Sequence, residues 1–235
     1  MNARRKKVVV FRDIQDDMLS KIRVQHDVVV IDPRQGDGRE RFLFEIQDAH
    51  GLIGSSVKLG GAELNGALQL EVISSISVGV DNYDVNLLRD RNITLCHTPG
   101  VLTETTADTI FGLILCTMRR LPELSQYVRD GNWKHPIGEE LFGWDVHKKT
   151  LGILGFGRIG QAVAKRAALG FGMPVVFHNT SEISVVSNIG NPRQATLDEV
   201  LRTADIVVST MPLTDQTRGL MDANAFQAMK PGAVF

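Results

Sequence analysis

The stretch of sequence that decides the fold is residues 150–172, which reads TLGILGFGRIGQAVAKRAALGFG. A short apolar run precedes the glycines Gly155, Gly157 and Gly160, and a segment with the apolar spacing of a helix follows them at once. In a strand-turn-helix unit with this spacing, the first glycine allows a tight turn, the second lets the backbone approach a phosphate, and the third permits close helix packing. The helix start then directs its unpaired N–H groups at the phosphates. The stretch therefore predicts a Rossmann-type dinucleotide site, since a turn that only packs tightly would explain neither the spacing nor the flanking elements.

The kind of dinucleotide is indicated by the end of the next predicted strand, at 174–177. An NAD site has an Asp or Glu there that binds the adenosine ribose. This chain has Asn179, Thr180 and Ser181 instead, and no carboxylate before Glu182. Neutral hydrogen-bonding side chains leave room for a 2′-phosphate and do not repel it. We therefore expect NADP(H) to be preferred, with NAD(H) as the alternative because no arginine stands at the same place.

Further cofactor contacts are expected from the glycine loop and from a third strand. Arg158 and Ile159 open the predicted helix, where the Arg158 side chain either adds positive charge to the site or faces solvent. The strand predicted at 206–210 runs into Met211 and Pro212, and in open α/β sheets ligands bind beyond the carboxyl ends of the strands. Pro212 is explained equally well as a simple strand terminator.

The first hundred residues alternate short β-branched runs with segments of helical period, which is the pattern of a parallel sheet covered by helices. Strands are predicted at 7–11, 28–31, 52–54, 72–76 and 93–96. Helices are predicted at 16–25, 39–49 and 85–90. The fold class is therefore α/β, with two doubly wound parallel-sheet domains.

The turn residues Pro99 and Gly100 interrupt this pattern. We place the domain boundary there, which gives a first domain at residues 1–100 and a second at 101–235.

A predicted helix at 103–120, capped by Thr103 or Thr105, opens the second domain and is apolar nearly all the way round. We therefore expect it to be buried on more than one side. The segment 131–149 contains both tryptophans of the chain and is predicted to be a long ordered loop, because large aromatic side chains lose too much by staying in water. The apolar surface of these two segments predicts a homodimer.

Composition narrows the class of protein further. The formal net charge of −1 gives no basic field for nucleic acid or an anionic membrane, and the basic residues 4–7 are interpreted as a solvated N-terminal arm. The two cysteines, Cys96 and Cys116, form no metal-ligand or disulfide pattern, which favours a reducing compartment and no metal site. The longest apolar stretch, 110–118, is far shorter than the roughly 20 residues needed to cross a bilayer. We expect a cytoplasmic protein with neither nucleic-acid nor membrane partners.

Several ordered motifs carry a resemblance to a known family. They read ISVGVDN at 76–82, HTPGVLTE at 97–104, the glycine motif, MPLT at 211–214 and TRGL at 217–220. Together they resemble the D-isomer-specific 2-hydroxyacid dehydrogenases over nearly the whole chain. Within that family, the motifs are most similar to glyoxylate/hydroxypyruvate reductases and bacterial 2-ketogluconate reductases.

The resemblance implies a flavodoxin-like substrate domain at residues 1–100, followed by a Rossmann-type NAD(P)-binding domain, with the active site in the cleft between them. It implies that the backbone N–H groups around Val78 and Gly79 hold the carboxylate of a small 2-keto acid. Leu102 would line the substrate pocket, and Thr106 would lie near the nicotinamide. The alternative is that these are a turn glycine and ordinary helix-start residues.

The sequence departs from the family in its catalytic residues. The family uses an Arg in an Asn-x-x-Arg-Gly segment, then a Glu, then a His in a Pro-His-x-Gly segment, and none of these segments is present. The pair Arg218 and Gly219 has Asp215, not Asn, three residues before the arginine. We expect the catalytic residues to lie beyond Phe235, which leaves the NAD(P)-binding domain incomplete and the 235-residue chain inactive as a reductase.

One rival hypothesis from another functional class is an NAD(P)H-sensing regulatory protein on a dehydrogenase scaffold, because sites rather than folds carry function. Other members of the family, such as phosphoglycerate or formate dehydrogenases, are disfavoured by the neutral residues at 179–181.

Overall fold

The computed structural model describes residues 5–183 and 188–235, and the chain divides into two compact units, Met1–Val101 and Leu102–Phe235. We call them unit 1 and unit 2. Across the described residues, none of the helices combines the length and the apolar composition needed to span a membrane.

From residue 5 onwards, where the structure describes it, unit 1 contains five strands, β1 (Lys7–Val10), β2 (Asp27–Val30), β3 (Gly51–Gly54), β4 (Val72–Ser75) and β5 (Thr94–Cys96). Its helices are α1 (Asp16–Gln25), α2 (Gly38–Glu45), α3 (Gly61–Leu64) and α4 (Val85–Asp90), with a 3-10 turn at Ile46–Asp48. The strands form one parallel sheet in the order β2-β1-β3-β4-β5. This is the strand order of flavodoxin-like doubly wound folds, so the predicted architecture of unit 1 is confirmed.

The sheet of unit 1 is held by apolar residues of its central strands, as expected for a parallel sheet buried on both faces. Val9, Leu52 and Ile73, on β1, β3 and β4, are fully buried. Gly54, the last residue of β3, packs directly against Phe11, because a Cβ there would come within 2.5 Å of the Phe11 ring. This packing fixes the carboxyl end of β3, beside the end of β4, after which the segment of Val78 follows.

Among its described residues, unit 2 contains four strands, β6 (Leu151–Leu154), β7 (Val175–His178), β8 (Arg193–Gln194) and β9 (Ile206–Ser209). Its helices are α5 (Thr103–Met118), α6 (Leu121–Arg129), α7 (Arg158–Phe171), α8 (Leu197–Thr203) and α9 (Ala223–Ala228), with a 3-10 turn at Glu139–Leu141. The parallel sheet has the order β8-β7-β6-β9, and a single bridge adds Val234 beside Ile206. Counted from β6, this is the 3-2-1-4 order of a Rossmann sheet, as predicted.

Helix α5 packs lengthwise on α7, and the contact is both apolar and charged. The rings of Phe111 and Phe171 lie 4.7 Å apart between centroids. The Arg166 guanidinium on α7 pairs with Asp108 at 2.5 Å and with Glu104 at 2.8 Å, both on α5. These contacts fix the start of α5 relative to the helix that follows the glycine loop.

The end of the first helix of unit 2 differs from the prediction. The helix predicted at 103–120 ends at Met118, and Arg120 adopts a left-handed conformation with φ of +54°. Pro122 then lies in the first turn of α6. A proline without an N–H is well placed there, because the first N–H groups of a helix have no partner within it. The proline therefore starts a helix that the sequence analysis did not predict.

The start and the burial of α5 also differ from the prediction. Its N-cap is Leu102, with no side-chain capping bond, so capping by Thr103 or Thr105 is wrong. The buried residues of α5 lie on one face only and are Ala107, Phe111, Ile114 and Met118. Leu113 is 62% exposed, so burial on more than one side is not found within this chain.

Both tryptophans are exposed, Trp133 at 62% and Trp144 at 59%, which corrects the expectation that the segment 131–149 buries its aromatic residues. The segment is held instead by Arg120, which donates to the carbonyl oxygens of Glu140 and Phe142.

The interpretation of residues 4–7 as a solvated arm is wrong for Lys7, whereas Arg5 and Lys6 are exposed and precede the first strand. Lys7 lies in β1 and pairs with Glu45 and Asp48. Burial alone would lower the pKa of Lys7, but the two carboxylates outweigh burial and raise it. Arg5 and Lys6 pair with Asp27 and Glu71. Arg4 lies outside the described residues.

Several short elements were not predicted, namely α3, β8, α8 and α9. The predicted helix at 39–49 begins one residue earlier and changes to the 3-10 turn after Glu45. The other strands and helices differ from the prediction by no more than two residues at either end.

Candidate functional site

The glycine turn of unit 2 joins β6 to α7 with glycine required at two of its three positions. Gly155 has a φ of +88°, a conformation that favours glycine. A Cβ at Gly160 would lie 2.4 Å from the carbonyl oxygen of Gly155. At Gly157, by contrast, no described atom lies within 4 Å of an added Cβ. The turn is thus closed by two glycines and borders open space at the third, where a diphosphate has room to approach the backbone.

The start of α7 supplies donors to that open space. The helix has 14 residues and begins at Arg158, directly after Gly157. The first N–H groups of a helix lack internal partners and favour an anion. Arg158 is exposed and forms no ion pair with any described residue, whereas Ile159 packs on the core of unit 2. The suggested role of Arg158 in cofactor binding stays a prediction.

The end of β9 is tied to the glycine turn through Thr210. Its N–H donates to the carbonyl oxygen of Leu154 at 2.8 Å, and its hydroxyl donates to that of Gly155 at 2.5 Å. The first glycine therefore has its carbonyl oxygen bound by a side chain from the neighbouring strand, which holds the turn against Met211.

The end of β7 is tied to the same turn through Asn179. The Phe156 N–H donates to the Oδ1 atom of Asn179 at 3.2 Å, and the rings of Phe156 and Phe177 stack with centroids 3.8 Å apart. The Asn179 side chain is therefore directed at the protein backbone, where it connects the glycine turn to the residues that follow β7.

A cavity of about 180 Å³ lies beside these connections. It is lined by Gly155, His178, Asn179, Thr180, Met211, Pro212, Thr214, Gln216, Thr217 and Leu220. The structure thus brings together the first glycine, two of the three residues that follow β7, and both predicted residues that follow β9. None of these lining residues is acidic. Open backbone at Gly157, a helix start and a neutral cavity fit the phosphates and adenosine of a dinucleotide.

The wall of the cavity beyond β9 is ordered by two threonines. The Thr217 hydroxyl donates to the carbonyl oxygen of Pro212 at 2.6 Å and accepts from the Thr214 N–H at 2.8 Å. Thr214, Gln216, Thr217 and Leu220 line the cavity without having been predicted as site residues. The rule that ligands bind beyond strand ends was a usable signal for them.

The remaining predicted residues of unit 2 lie elsewhere. Leu102 is the exposed N-cap residue of α5, and Thr106 is half-buried one turn later. Ser181 is exposed and does not line the cavity. Their proposed contacts with substrate or cofactor stay predictions.

In unit 1, Val78 and Gly79 follow β4 in an accessible segment. The Nδ1 atom of His97 lies 3.0 Å from the carbonyl oxygen of Val78, so that nitrogen carries the proton and donates. A Cβ at Gly79 would lie 2.8 Å from Oδ1 of Asp81. His97 was not predicted as a site residue, because nothing in the sequence shows that it reaches a loop 19 residues earlier.

Comparison with known families gives a consistent result. Residues 111–235 match the NAD-binding domain of the D-isomer-specific 2-hydroxyacid dehydrogenases. The chain is 40% identical over 228 residues to glyoxylate/hydroxypyruvate reductase B of Cronobacter sakazakii, covering 97% of this chain and 70% of that protein.

Solved structures agree with this match. A crystal structure of a Thermus thermophilus protein aligns with a TM-score of 0.84 at 38% identity, covering 97% of this chain and 72% of the other. The NADPH-dependent glyoxylate/hydroxypyruvate reductase of Sinorhizobium meliloti, solved with NADP and malonate, aligns with a TM-score of 0.78 at 27% identity. That alignment covers 95% of this chain and 68% of the reductase.

Proposed function

Because the chain belongs to the D-isomer-specific 2-hydroxyacid dehydrogenase family, we propose that it binds NADPH and serves the reduction of a small 2-keto acid to the D-2-hydroxy acid. The proposed substrates are glyoxylate, hydroxypyruvate and 2-ketogluconate. Family membership makes the chain part of an oxidoreductase with an NAD(P)-binding domain, which favours an enzyme over an NAD(P)H-sensing regulator.

The observation that carries the proposal is the neutral cavity beside the glycine turn. The backbone at Gly157 and the start of α7 receive the diphosphate, and Arg158 and Ile159 border it. Asn179, Thr180 and Ser181 form the end of the site that accepts a 2′-phosphate, since none of them is a carboxylate. Met211 and Pro212 cover the adenosine from the side of β9.

When bound, the nicotinamide supplies the hydride for the keto carbon. Thr106 is proposed to lie near that ring, and Leu102 to line the substrate pocket. We propose that residues 1–100 are the substrate domain and 101–235 the cofactor domain. In the substrate domain, the backbone N–H groups of Val78 and Gly79 hold the substrate carboxylate, and His97 positions them by binding the Val78 carbonyl oxygen.

The Arg, Glu and His segments that are the family's catalytic signature are not among these 235 residues, and the chain spans 70% of the Cronobacter relative. The proposal therefore assigns cofactor binding and carboxylate binding to this chain, and it assigns proton transfer to none of its six histidines.

The test has a binding part and a kinetic part. Calorimetric titration of the 235-residue chain with NADPH and NADH should show tighter binding of NADPH. Steady-state kcat/KM of the protein as its gene encodes it, with glyoxylate, hydroxypyruvate and 2-ketogluconate, should also be higher with NADPH. A tenfold preference for NADH, about 1.4 kcal/mol in transition-state binding, would overturn the cofactor assignment.

We also propose a homodimer, which is supported by exposed apolar side chains on α5 and in the segment 131–149. Leu113, Trp133 and Trp144 are each more than half exposed within this chain. Large aromatic and aliphatic side chains that remain in contact with water are typical of a surface that a partner covers.

A further inference from the structure

The turn after β7 is enclosed by a side chain from the edge strand β8. In the sheet, Gln194 of β8 is the neighbour of Phe177 of β7. The Gln194 side chain extends past the end of β7 to the turn at residues 179–181, where a 2′-phosphate would bind in the proposed function.

Gln194 binds both ends of this turn. Its Nε2 atom donates to the carbonyl oxygens of Asn179 and Ser181, each at 3.3 Å. The Nδ2 atom of Asn179 also donates to the Ser181 carbonyl oxygen, at 3.0 Å, and to the Ser181 hydroxyl, at 3.1 Å. The side-chain amides of Gln194 and Asn179 therefore each donate two hydrogen bonds to atoms of the turn.

This arrangement changes the charge that the turn presents to a ligand. Carbonyl oxygens carry partial negative charge and repel a phosphate unless donors bind them. Here the oxygens of Asn179 and Ser181 are both bound, and Thr180 lines the cavity. The Ser181 hydroxyl accepts from Asn179, which leaves its own hydrogen to be donated to an anion.

We infer that Gln194 is a positioning residue that sets the cofactor preference, because it holds the carbonyl oxygens of the 179–181 turn away from the 2′-phosphate. The inference rests on the proposed NADPH function. Gln194 itself does not line the cavity, so it acts through the turn and not through contact with the nucleotide.

A purely structural role for this side chain is distinguishable, because other groups join β8 to β7. The Ala195 N–H donates to the Phe177 carbonyl oxygen at 2.8 Å, and Nδ1 of His178 donates to the Ala195 carbonyl oxygen at 3.2 Å. Gln194 is exposed, so its replacement should leave the strand pairing and the free energy of unfolding nearly unchanged.

The experiment compares Gln194→Met, which keeps the length of the side chain and removes its donors, with Gln194→Glu, which replaces those donors by acceptors. Arg193→Met is the matched control, since Arg193 is on the same edge strand and pairs only with Glu199 among the described residues. The probes are 2′,5′-ADP and 5′-AMP, which differ only in the 2′-phosphate. Their Kd values are measured by calorimetry on the 235-residue chain, with thermal melting as a check of folding.

Gln194→Met should weaken 2′,5′-ADP binding about tenfold and Gln194→Glu should weaken it more, with 5′-AMP binding changed less than twofold and Arg193→Met without effect. In the protein as its gene encodes it, the KM for NADPH should rise at unchanged kcat. Equal weakening of both probes, or no weakening, would overturn the role of Gln194 and leave the proposed NADPH function untouched. If the unaltered chain binds neither probe, or binds 5′-AMP more tightly, the proposed NADPH function fails and this inference fails with it.

Discussion

The hydroxyl of Thr210 donates a hydrogen bond to the carbonyl oxygen of Gly155, with 2.5 Å between the two oxygen atoms. This bond joins the end of β9 to the first residue of the glycine turn. It lies beside Gly160, where an added Cβ would come within 3.1 Å of the same hydroxyl. The glycine turn is thus shaped from a neighbouring strand as well as by its own glycines.

Replacing Thr210 by valine should weaken both the fold and nucleotide binding. The change keeps the shape of the side chain but leaves the Gly155 oxygen without its donor, which should lower the free energy of unfolding by about 1–2 kcal/mol. Urea denaturation measures this loss. Thr203→Val is the control, because the Thr203 hydroxyl bonds to its own helix at Glu199 and is exposed. An equal loss in both variants would show that Thr210 has no special role.

Two glycines of α7 should respond oppositely to alanine. At Gly160 the new Cβ would lie 2.4 Å from the Gly155 oxygen, so Gly160→Ala should cost about 1–3 kcal/mol and abolish nucleotide binding. At Gly170 no described atom lies within 4 Å, so Gly170→Ala should stabilise the helix by up to about 1 kcal/mol. Thermal melting and NADPH titration check both variants. Unchanged binding in Gly160→Ala would contradict the proposed diphosphate site.

Asp205 should make stability depend on pH. Burial raises its pKa, but hydrogen bonds from Lys230 at 2.6 Å and from the Thr150 N–H at 2.8 Å outweigh burial and lower the pKa below 3.8. A lowered pKa in the folded state adds stability that is fully present above the unfolded value and is lost as the pH falls through the folded value.

Asp205→Asn should therefore cost about 1–2 kcal/mol at pH 7, and the gap between variant and unaltered chain should narrow as the pH falls below 3.8. Urea unfolding at several pH values follows this gap. Asp215→Asn is the control, because Asp215 is exposed and forms no ion pair with any described residue. A gap that stays constant with pH would rule out the ionic contribution of Asp205.

Thr180→Asp should shift the cofactor preference towards NADH. The new carboxylate would stand where Thr180 lines the cavity, repel a 2′-phosphate and offer an acceptor to ribose hydroxyls. We expect the affinity for 2′,5′-ADP to fall at least tenfold while that for 5′-AMP is kept. In Thr180→Asn the new side chain has nearly the size of aspartate without its charge, so this variant should retain the preference for 2′,5′-ADP. A loss in Thr180→Asn as large as in Thr180→Asp would point to shape rather than charge.

The proposed dimer predicts that Leu113→Glu gives a monomer, since a buried carboxylate on α5 would oppose association. Sedimentation at micromolar concentration compares it with Leu68→Glu, which changes a leucine that is 82% exposed in unit 1. Leu68→Glu should remain dimeric. A stable monomer for the unaltered chain would refute the dimer itself.

The sequence predicted the fold class because it contains two strong patterns. Alternating strands and helices require parallel sheets, and the spacing of Gly155, Gly157 and Gly160 has few structural explanations other than a nucleotide turn. Weaker patterns gave wrong predictions. A proline such as Pro122 ends a helix in one context and starts one in another, and here it lies in the first turn of α6. The exposure of Trp133 and Trp144 could not be inferred, because aromatic side chains are large and apolar whether a partner covers them or not.

The details of the candidate site depend on contacts between distant residues, which no local pattern shows. Gln194 belongs to a strand of two residues, too short for any period, and reaches a turn 15 residues earlier in the chain. The direction of the Asn179 side chain could not be inferred from the sequence either. The sequence indicated a neutral amide near a ribose, whereas the structure directs that amide to Phe156 and to the turn itself.

The position of β6 in its sheet also decides which part of the site opens most readily. All four of its residues are buried and it is paired on both sides, so its amides should exchange with solvent only when unit 2 unfolds as a whole. The glycine turn is anchored to this most protected strand, while the 179–181 turn depends on the two residues of β8. The end of the site that we propose for the diphosphate common to all dinucleotides is therefore fixed in advance. The end that we propose to distinguish NADP from NAD belongs to a part of the sheet that should open at lower cost, where an arriving ligand can still contribute to the order.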